Sequence, residues 1–193
     1  MRIWLDTDIG TDVDDALALG YVLRHPELEL VGLSTVFGDI PLRDEIARAL
    51  LLEAGRSTVP VLSGMGVPLS ERRHGIMFGH EGLGLFEDPR PTLRTREESG
   101  ARRRIEQLAE AIGEAAPDIM VAIGPMTNIG ALAGIAAELP PLTVMGGKLT
   151  DVMLPGMVEE ISEWNWFCDP QAVRRTLAAD HRVTPLVIPA EVT

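Results

Sequence analysis

The sequence predicts an α/β protein with a doubly wound, mostly parallel sheet and helices on both faces. Three observations predict it. Short apolar runs of strand length alternate with helix-length amphipathic runs. Polar turns, several containing glycine, follow the apolar runs. The chain also has 193 residues, 46% of them hydrophobic, which is enough to bury the core of a single domain over residues 1–193.

The elements follow in order. Arg2–Leu5 is an apolar run that ends on acid and is expected as the first strand, with Asp15–Arg24 as the helix behind it. Leu17, Leu19, Tyr21, Val22 and Leu23 supply that helix's apolar positions. Leu30–Thr35 and Val59–Leu62 read as strands flanking a helix at Leu42–Glu53. Ala101–Ala115 reads as a helix whose basic run, Arg102-Arg103-Arg104, is offset by Glu106 and Glu110 on a solvated face. Strands at Ile119–Ile123, Leu142–Val144 and Val183–Val187 then enclose helices at Asn128–Ala137 and Pro170–Ala179. Asp169 followed by Pro170 is an N-cap with proline at the first helical position. Two stretches break the rhythm: Ser63–Gly100, holding Gly79-His80-Glu81-Gly82-Leu83-Gly84, and Met145–Glu163. Loops of that length inside a compact domain are usually functional or flexible.

Composition narrows the function. A formal charge of −12 disfavours nucleic acid, which needs basic patches. No apolar run is long enough to span a bilayer, and Met1–Asp6 meets acid too early for a signal peptide. The single cysteine, Cys168, forms no internal disulfide, which fits a cytoplasmic location, and it reads as a buried apolar residue.

The densest chemical signal is Asp6-Thr7-Asp8-Ile9-Gly10-Thr11-Asp12-Val13-Asp14-Asp15, placed on a strand-to-helix turn. Helix capping explains one or two of these acids but not the whole cluster. Carboxylates so close need a cation or a proton, and an oxygen-rich pocket suits a hard divalent ion such as calcium or magnesium. In a doubly wound sheet the turns after successive strands meet on one rim. The aspartate cluster, Gly38-Asp39, Gly124–Asn128, Met145-Gly146-Gly147 and Glu163-Trp164-Asn165 are all placed there. Met126-Thr127-Asn128 also reads as a simple helix cap. His74 and His80 read as solvent-facing loop histidines, and Trp164 and Trp166 as core residues beside Asn165. A second chemistry, phosphoryl transfer of the haloacid dehalogenase type, takes Asp6-x-Asp8 with Lys148 and Asp151 but leaves Asn128 and Glu163–Asn165 unexplained.

Four segments in order, Asp6–Leu19, Ser34–Asp39, Ala122–Ile129 and Glu163–Ala172, resemble the inosine–uridine-preferring nucleoside hydrolases. The resemblance implies a Rossmann-like nucleoside hydrolase fold and calcium-dependent (Ca2+) cleavage of the N-glycosidic bond of a small-molecule ribonucleoside. It implies Asp8 as general base and calcium ligand, Asp15 and the Ile123 carbonyl as further ligands, and Asp14 and Asn165 as partners of the ribose hydroxyls. Glu163 would hold the 5′ side of the sugar, and Asp39 would stand in the sugar pocket where the family usually has asparagine. Asp6 would be a buried organiser of the turn. The chain departs from the pattern elsewhere too. Ile9 to Val13 make the turn longer than the common signature, so Asp12 competes with Asp8 as a ligand. Phe78 stands where the family has a histidine, and Met157 where it has an asparagine. After Glu191-Val192-Thr193 the longer relatives continue with a histidine that protonates the base and an aspartate that ligates calcium. The chain therefore reads as truncated relative to the family, and the alternative function is a catalytically impaired metal- and ribose-binding member. The apolar surface such a truncation exposes is expected to favour a homo-oligomer.

Overall fold

The structure, a computed structural model, describes residues 1–87, 94–95, 100–135, 137–153 and 163–193. Met157 lies outside the described residues, as do parts of both irregular stretches.

Six strands form a fully parallel sheet: β1 (Arg2–Thr7), β2 (Glu29–Thr35), β3 (Val61–Ser63), β6 (Ile119–Ala122), β7 (Leu142–Met145) and β8 (Leu186–Ile188). The strand order is β3-β2-β1-β6-β7-β8. The chain winds outward from β1 through β2 to β3, then returns to β1's other side at β6 and winds the opposite way. The order reverses between β1 and β6, and in open α/β sheets ligands bind at that point, beyond the strands' carboxyl ends. A separate two-stranded antiparallel pair, β4 (Gly75–Ile76) with β5 (Arg94–Thr95), lies within the first irregular stretch.

Adjacent residues of β1 serve opposite faces, as strand geometry requires. Trp4 joins the core made with α3 (Ala101–Ala115), α4 (Thr127–Gly134) and α6 (Pro170–Ala178). Leu5 joins the core made with α1 (Asp14–Arg24) and α2 (Ile40–Glu53). Gly32 on β2 leaves room for the Trp4 indole, since a Cβ there would sit 2.2 Å from Trp4 Cζ3. Cys168 is buried, and burial pushes its thiol well above the ordinary range. Arg102 is exposed and donates to Glu106 at 2.8 Å across one helical turn, as the solvated-face reading requires. Among the described residues, no helix is long and apolar enough to cross a membrane.

The α3 helix has the bounds the sequence predicted, and the other predicted helices shift by a few residues. The fourth stops at Gly134 rather than Ala137, where glycine's low helix propensity favours an end. A short helix, α5 (Trp164–Cys168), was not foreseen. It is only five residues long and lacks a helical apolar stripe of its own.

Candidate active site

The aspartate turn begins where β1 ends. Gly10 takes a φ of +117°, a conformation that favours glycine, and a Cβ there would lie 2.5 Å from Ile46 Cδ1. The turn sorts its acids by depth: Asp8 and Asp15 are buried, whereas Asp12 and Asp14 are exposed. The longer turn therefore buries Asp8 and leaves Asp12 at the surface. Thr7 Oγ1 donates to Asp15 Oδ1 and accepts from the Ile9 backbone N–H at 3.1 Å.

Asp6 is fully buried, as expected of a turn organiser. Its Oδ1 accepts from Ser34 Oγ and from Asn128 Nδ2, the latter at 2.7 Å. Trp4 Nε1 donates in turn to Ser34 Oγ at 3.0 Å. Asn128 does more than the helix cap the sequence allowed. It lies inside α4, donates to the Thr35 carbonyl at 3.0 Å and accepts from the Met65 N–H at 2.8 Å. It thereby pins β1, β2 and the Met65 turn together. The other oxygen of Asp6, Oδ2, is buried and takes no hydrogen bond.

Burial raises the pKa of Asp6 to about 7 despite its hydrogen bonds from Asn128 and Ser34. It raises that of Asp8 to about 6, with Arg43 opposing the shift and Asp14 adding to it. Asp15 is also pushed well up by burial and by the Asp8 charge. Carboxylates raised in the folded state bind more protons folded than unfolded across the interval from 3.8 upward. Stability is then fully present at acid pH and declines as pH climbs through 6 to 7. The metal-free protein should accordingly show a Tm that falls between pH 5 and pH 7.5 in excess chelator. A flat or rising profile over that interval would contradict this electrostatic picture.

The neighbouring strand ends supply the rest of the rim. The Ile123 N–H donates to the Asp6 carbonyl at 2.9 Å, and its own carbonyl accepts from Asn165 Nδ2 at 2.7 Å. A Cβ on Gly124 would stand 2.8 Å from both Asp8 N and Asp8 Oδ1, so this glycine lets β6 lie against the acid. Asp39 caps α2 by accepting from the Leu42 N–H at 3.2 Å. Asn165 Nδ2 also donates to the Met145 carbonyl at 3.3 Å, which fixes the side chain and leaves acceptor chemistry to its oxygen. Glu163 is placed on the rim and accepts from three backbone donors. It caps α5 through the N–H groups of Asn165 at 2.7 Å and Trp166 at 2.9 Å, and accepts from Gly147 N–H at 2.7 Å.

Two residues the sequence reading missed organise this rim. Arg43 is buried to 1% exposure and stands within 3.9 Å of the Asp8 carboxylate. Its signal was available: with Ile40 and Ile46 at three-residue spacing, Arg43 falls on the buried stripe of α2. Glu81 is fully buried and accepts from the Phe78 N–H at 2.7 Å and the Gly79 N–H at 2.9 Å. Burial alone would raise its pKa, but those backbone donors outweigh burial and lower it. Its neighbour His80 is exposed, as read, yet its Nε2 lies 2.8 Å from the Thr11 carbonyl. Trp164 is half-buried and packs against Phe37 and Phe78, at centroid separations of 6.3 and 5.4 Å.

The oxygen groups on this rim include the buried Asp8 and Asp15 carboxylates and the Ile123 carbonyl, the last already accepting from Asn165 Nδ2. Among the described residues, no group of three or more His, Cys, Asp or Glu side chains is arranged to hold a metal ion. The donor chemistry nonetheless fits a hard cation. It is all oxygen, it includes buried carboxylates driven toward protonation, and Asp6 beneath it keeps an unpartnered Oδ2.

Buried acids at the reversal point of a doubly wound sheet stand where folds of this class bind ligands. More narrowly, the chain belongs to the inosine-uridine preferring nucleoside hydrolase family, whose model matches residues 3–193. It is 34% identical over 181 residues to uridine nucleosidase 1 of Arabidopsis thaliana, covering 89% of this chain and 51% of the relative. It is 33% identical over 187 residues to the non-specific ribonucleoside hydrolase RihC of Klebsiella pneumoniae, covering 91% and 57%. Among solved structures it superposes on the purine-preferring ribonucleoside hydrolase from Gardnerella vaginalis with a TM-score of 0.69 at 26% identity, over 98% of this chain and 60% of that one. A plant nucleoside hydrolase, PpNRh1, gives a TM-score of 0.65 at 27% identity with the same coverage. The chain thus spans about half the length of the curated relatives it matches.

Proposed function

We propose that this chain hydrolyses the N-glycosidic bond of ribonucleosides, releasing ribose and the free base, with a calcium ion held by Asp8, Asp15 and the Ile123 carbonyl. The observation that carries the reading is the burial of Asp15 and of Asp8, the latter beside Gly124, where the strand order reverses between β1 and β6 in a member of this family. A bound calcium would lower the pKa of a water molecule and template the sugar's diol. Asp8 would take the proton of the attacking water as the water's oxygen bonds to the anomeric carbon, and the glycosidic bond's electrons would leave with the base. Asp14 and Asn165 Oδ1 accept hydrogen bonds from ribose hydroxyls, with Asp39 lining the sugar pocket. Glu163 acts one step back, fixing Asn165 and the Gly147 turn through its three backbone contacts.

The histidine beside the aspartate turn, His80, turns its Nε2 to the Thr11 carbonyl. An activated aryl leaving group needs little protonation, so p-nitrophenyl riboside is expected to react faster than inosine or uridine. Ribose release from these three substrates, with calcium supplied and then chelated, tests the reading. Calcium-dependent release supports it. Silence on all three, from a protein whose Tm calcium still raises, favours the alternative of a metal- and ribose-binding member without turnover.

A further inference from the structure

We propose that Arg43 is a positioning residue: a built-in counter-ion that holds the lengthened aspartate turn and, through Thr11, ties the Phe78–Glu81 loop down against it. The bearing of this on turnover rests on the hydrolase reading above; the structural part stands apart from it.

Arg43 comes from the first turn of α2, and its guanidinium crosses to the end of β1. Nη1 donates to the Asp8 carbonyl and, at 2.9 Å, to the Ile9 carbonyl. Nε donates to the Phe37 carbonyl at 2.5 Å, where β2 gives way to the Gly38 turn. Nη2 donates to Thr11 Oγ1 at 3.3 Å and lies 3.9 Å from Asp8 Oδ2. One planar fork therefore fixes three carbonyls and one hydroxyl on two adjacent strand ends, a geometry that a lysine's single ammonium does not reproduce. Burying a cation this deeply is costly unless nearby anions compensate it, and here the compensation is Asp8 and its acidic neighbours.

The connection continues outward. Thr11 accepts from Arg43 and donates from the same oxygen to Glu81 Oε1 at 3.2 Å. The Thr11 carbonyl meets His80 Nε2 at 2.8 Å. Thr11 belongs to the stretch Ile9–Val13 that makes this turn long, so the extra length carries the link to the loop. On the loop's far side, Phe78 packs on Trp164 of α5. The loop is thereby held at two points across the rim, and Arg43 supplies the inner one.

Amide hydrogen exchange of the whole chain in excess chelator reads this directly. Arg43→Gln should speed exchange in peptides covering 8–12 and 78–81 by about tenfold or more, with the α3–α4 core unchanged. Arg43→Lys keeps the charge but loses the fork, and should leave 78–81 as fast as in Arg43→Gln. Unchanged exchange in Arg43→Gln, or wild-type exchange in Arg43→Lys, overturns the proposal. Should Arg43→Gln fail to fold, Thr11→Val cuts only the outer link. It should speed exchange at 78–81 while 8–9 stays slow, Thr11→Ser should restore it, and no change at 78–81 overturns the proposal. With activity in hand, Thr11→Val should raise KM several-fold more than it lowers kcat. If the wild type hydrolyses no nucleoside, the functional reading fails, and exchange alone decides the role of Arg43.

Discussion

Replacing Asp8 by asparagine is expected to lower calcium-dependent ribose release by about a hundredfold or more, the usual range for loss of a general base. The same change should abolish most of the calcium-linked rise in Tm, because a carboxylate donor leaves the cation's shell. It should not cost the metal-free protein stability at pH 7.5. There the Asp8 carboxylate is ionised although burial, which outweighs the opposing Arg43 charge, has raised its pKa to about 6, so the native state carries a charge that the unfolded chain solvates better, and in the variant Arg43 keeps its three carbonyl acceptors. Asparagine removes that charge at similar volume. The variant's advantage in Tm should shrink toward acid pH, where wild-type Asp8 is itself protonated. Calorimetry at pH 5 and 7.5 in chelator, beside the ribose assay with calcium, checks all three effects. Full activity in Asp8→Asn would move the base elsewhere, with exposed Asp12 and Asp14 next in line on the same turn.

The fold was legible because its signals are local and repeated. Apolar strand runs alternate with helix-length runs, and the parallel order follows from the alternation. The rim was legible for the same reason, since each polar turn follows a strand and a parallel sheet gathers those turns. What stayed hidden depends on contacts distant in sequence. Arg43 looks like one more surface arginine until α2 is rotated onto its buried stripe. Glu81 reads as an ordinary loop acid, and only folding brings Thr11, seventy residues earlier, to its side chain. Glu163 was legible as a rim residue but not as the cap of α5, because that five-residue helix has no periodicity to announce it. The split of the aspartates into buried Asp8 and exposed Asp12 was open in the sequence, where both precede Asp14 in one turn. Gly124 resolves it sterically: a strand end without a Cβ beside Asp8 leaves space there for the deeper acid.

Asp169 shows how far a legible local signal can understate its consequence. Its place before Pro170 marks it as an N-cap, and it does accept from the Ala172 N–H at 3.1 Å. A single cap contributes about 1 kcal/mol. In the structure the same carboxylate also accepts from Leu69 N–H at 2.7 Å, Ser70 N–H at 3.2 Å, Ser70 Oγ at 2.8 Å and Thr127 Oγ1 at 2.8 Å. It is fully buried and joins α6, the start of α4 and the Leu69–Ser70 turn. Truncation to alanine leaves these donors without a partner, and each buried unsatisfied donor costs about 1–3 kcal/mol. Partial relaxation and entry of water limit the sum, so Asp169→Ala is expected to cost about 3–4 kcal/mol. For a chain of this size that lowers Tm by about 10 °C. Asp169→Asn, which keeps one acceptor oxygen, should fall between the two. Thermal unfolding of the three proteins at one pH provides the comparison. An alanine variant melting within about 2 °C of wild type would reduce Asp169 to the simple cap its sequence suggests.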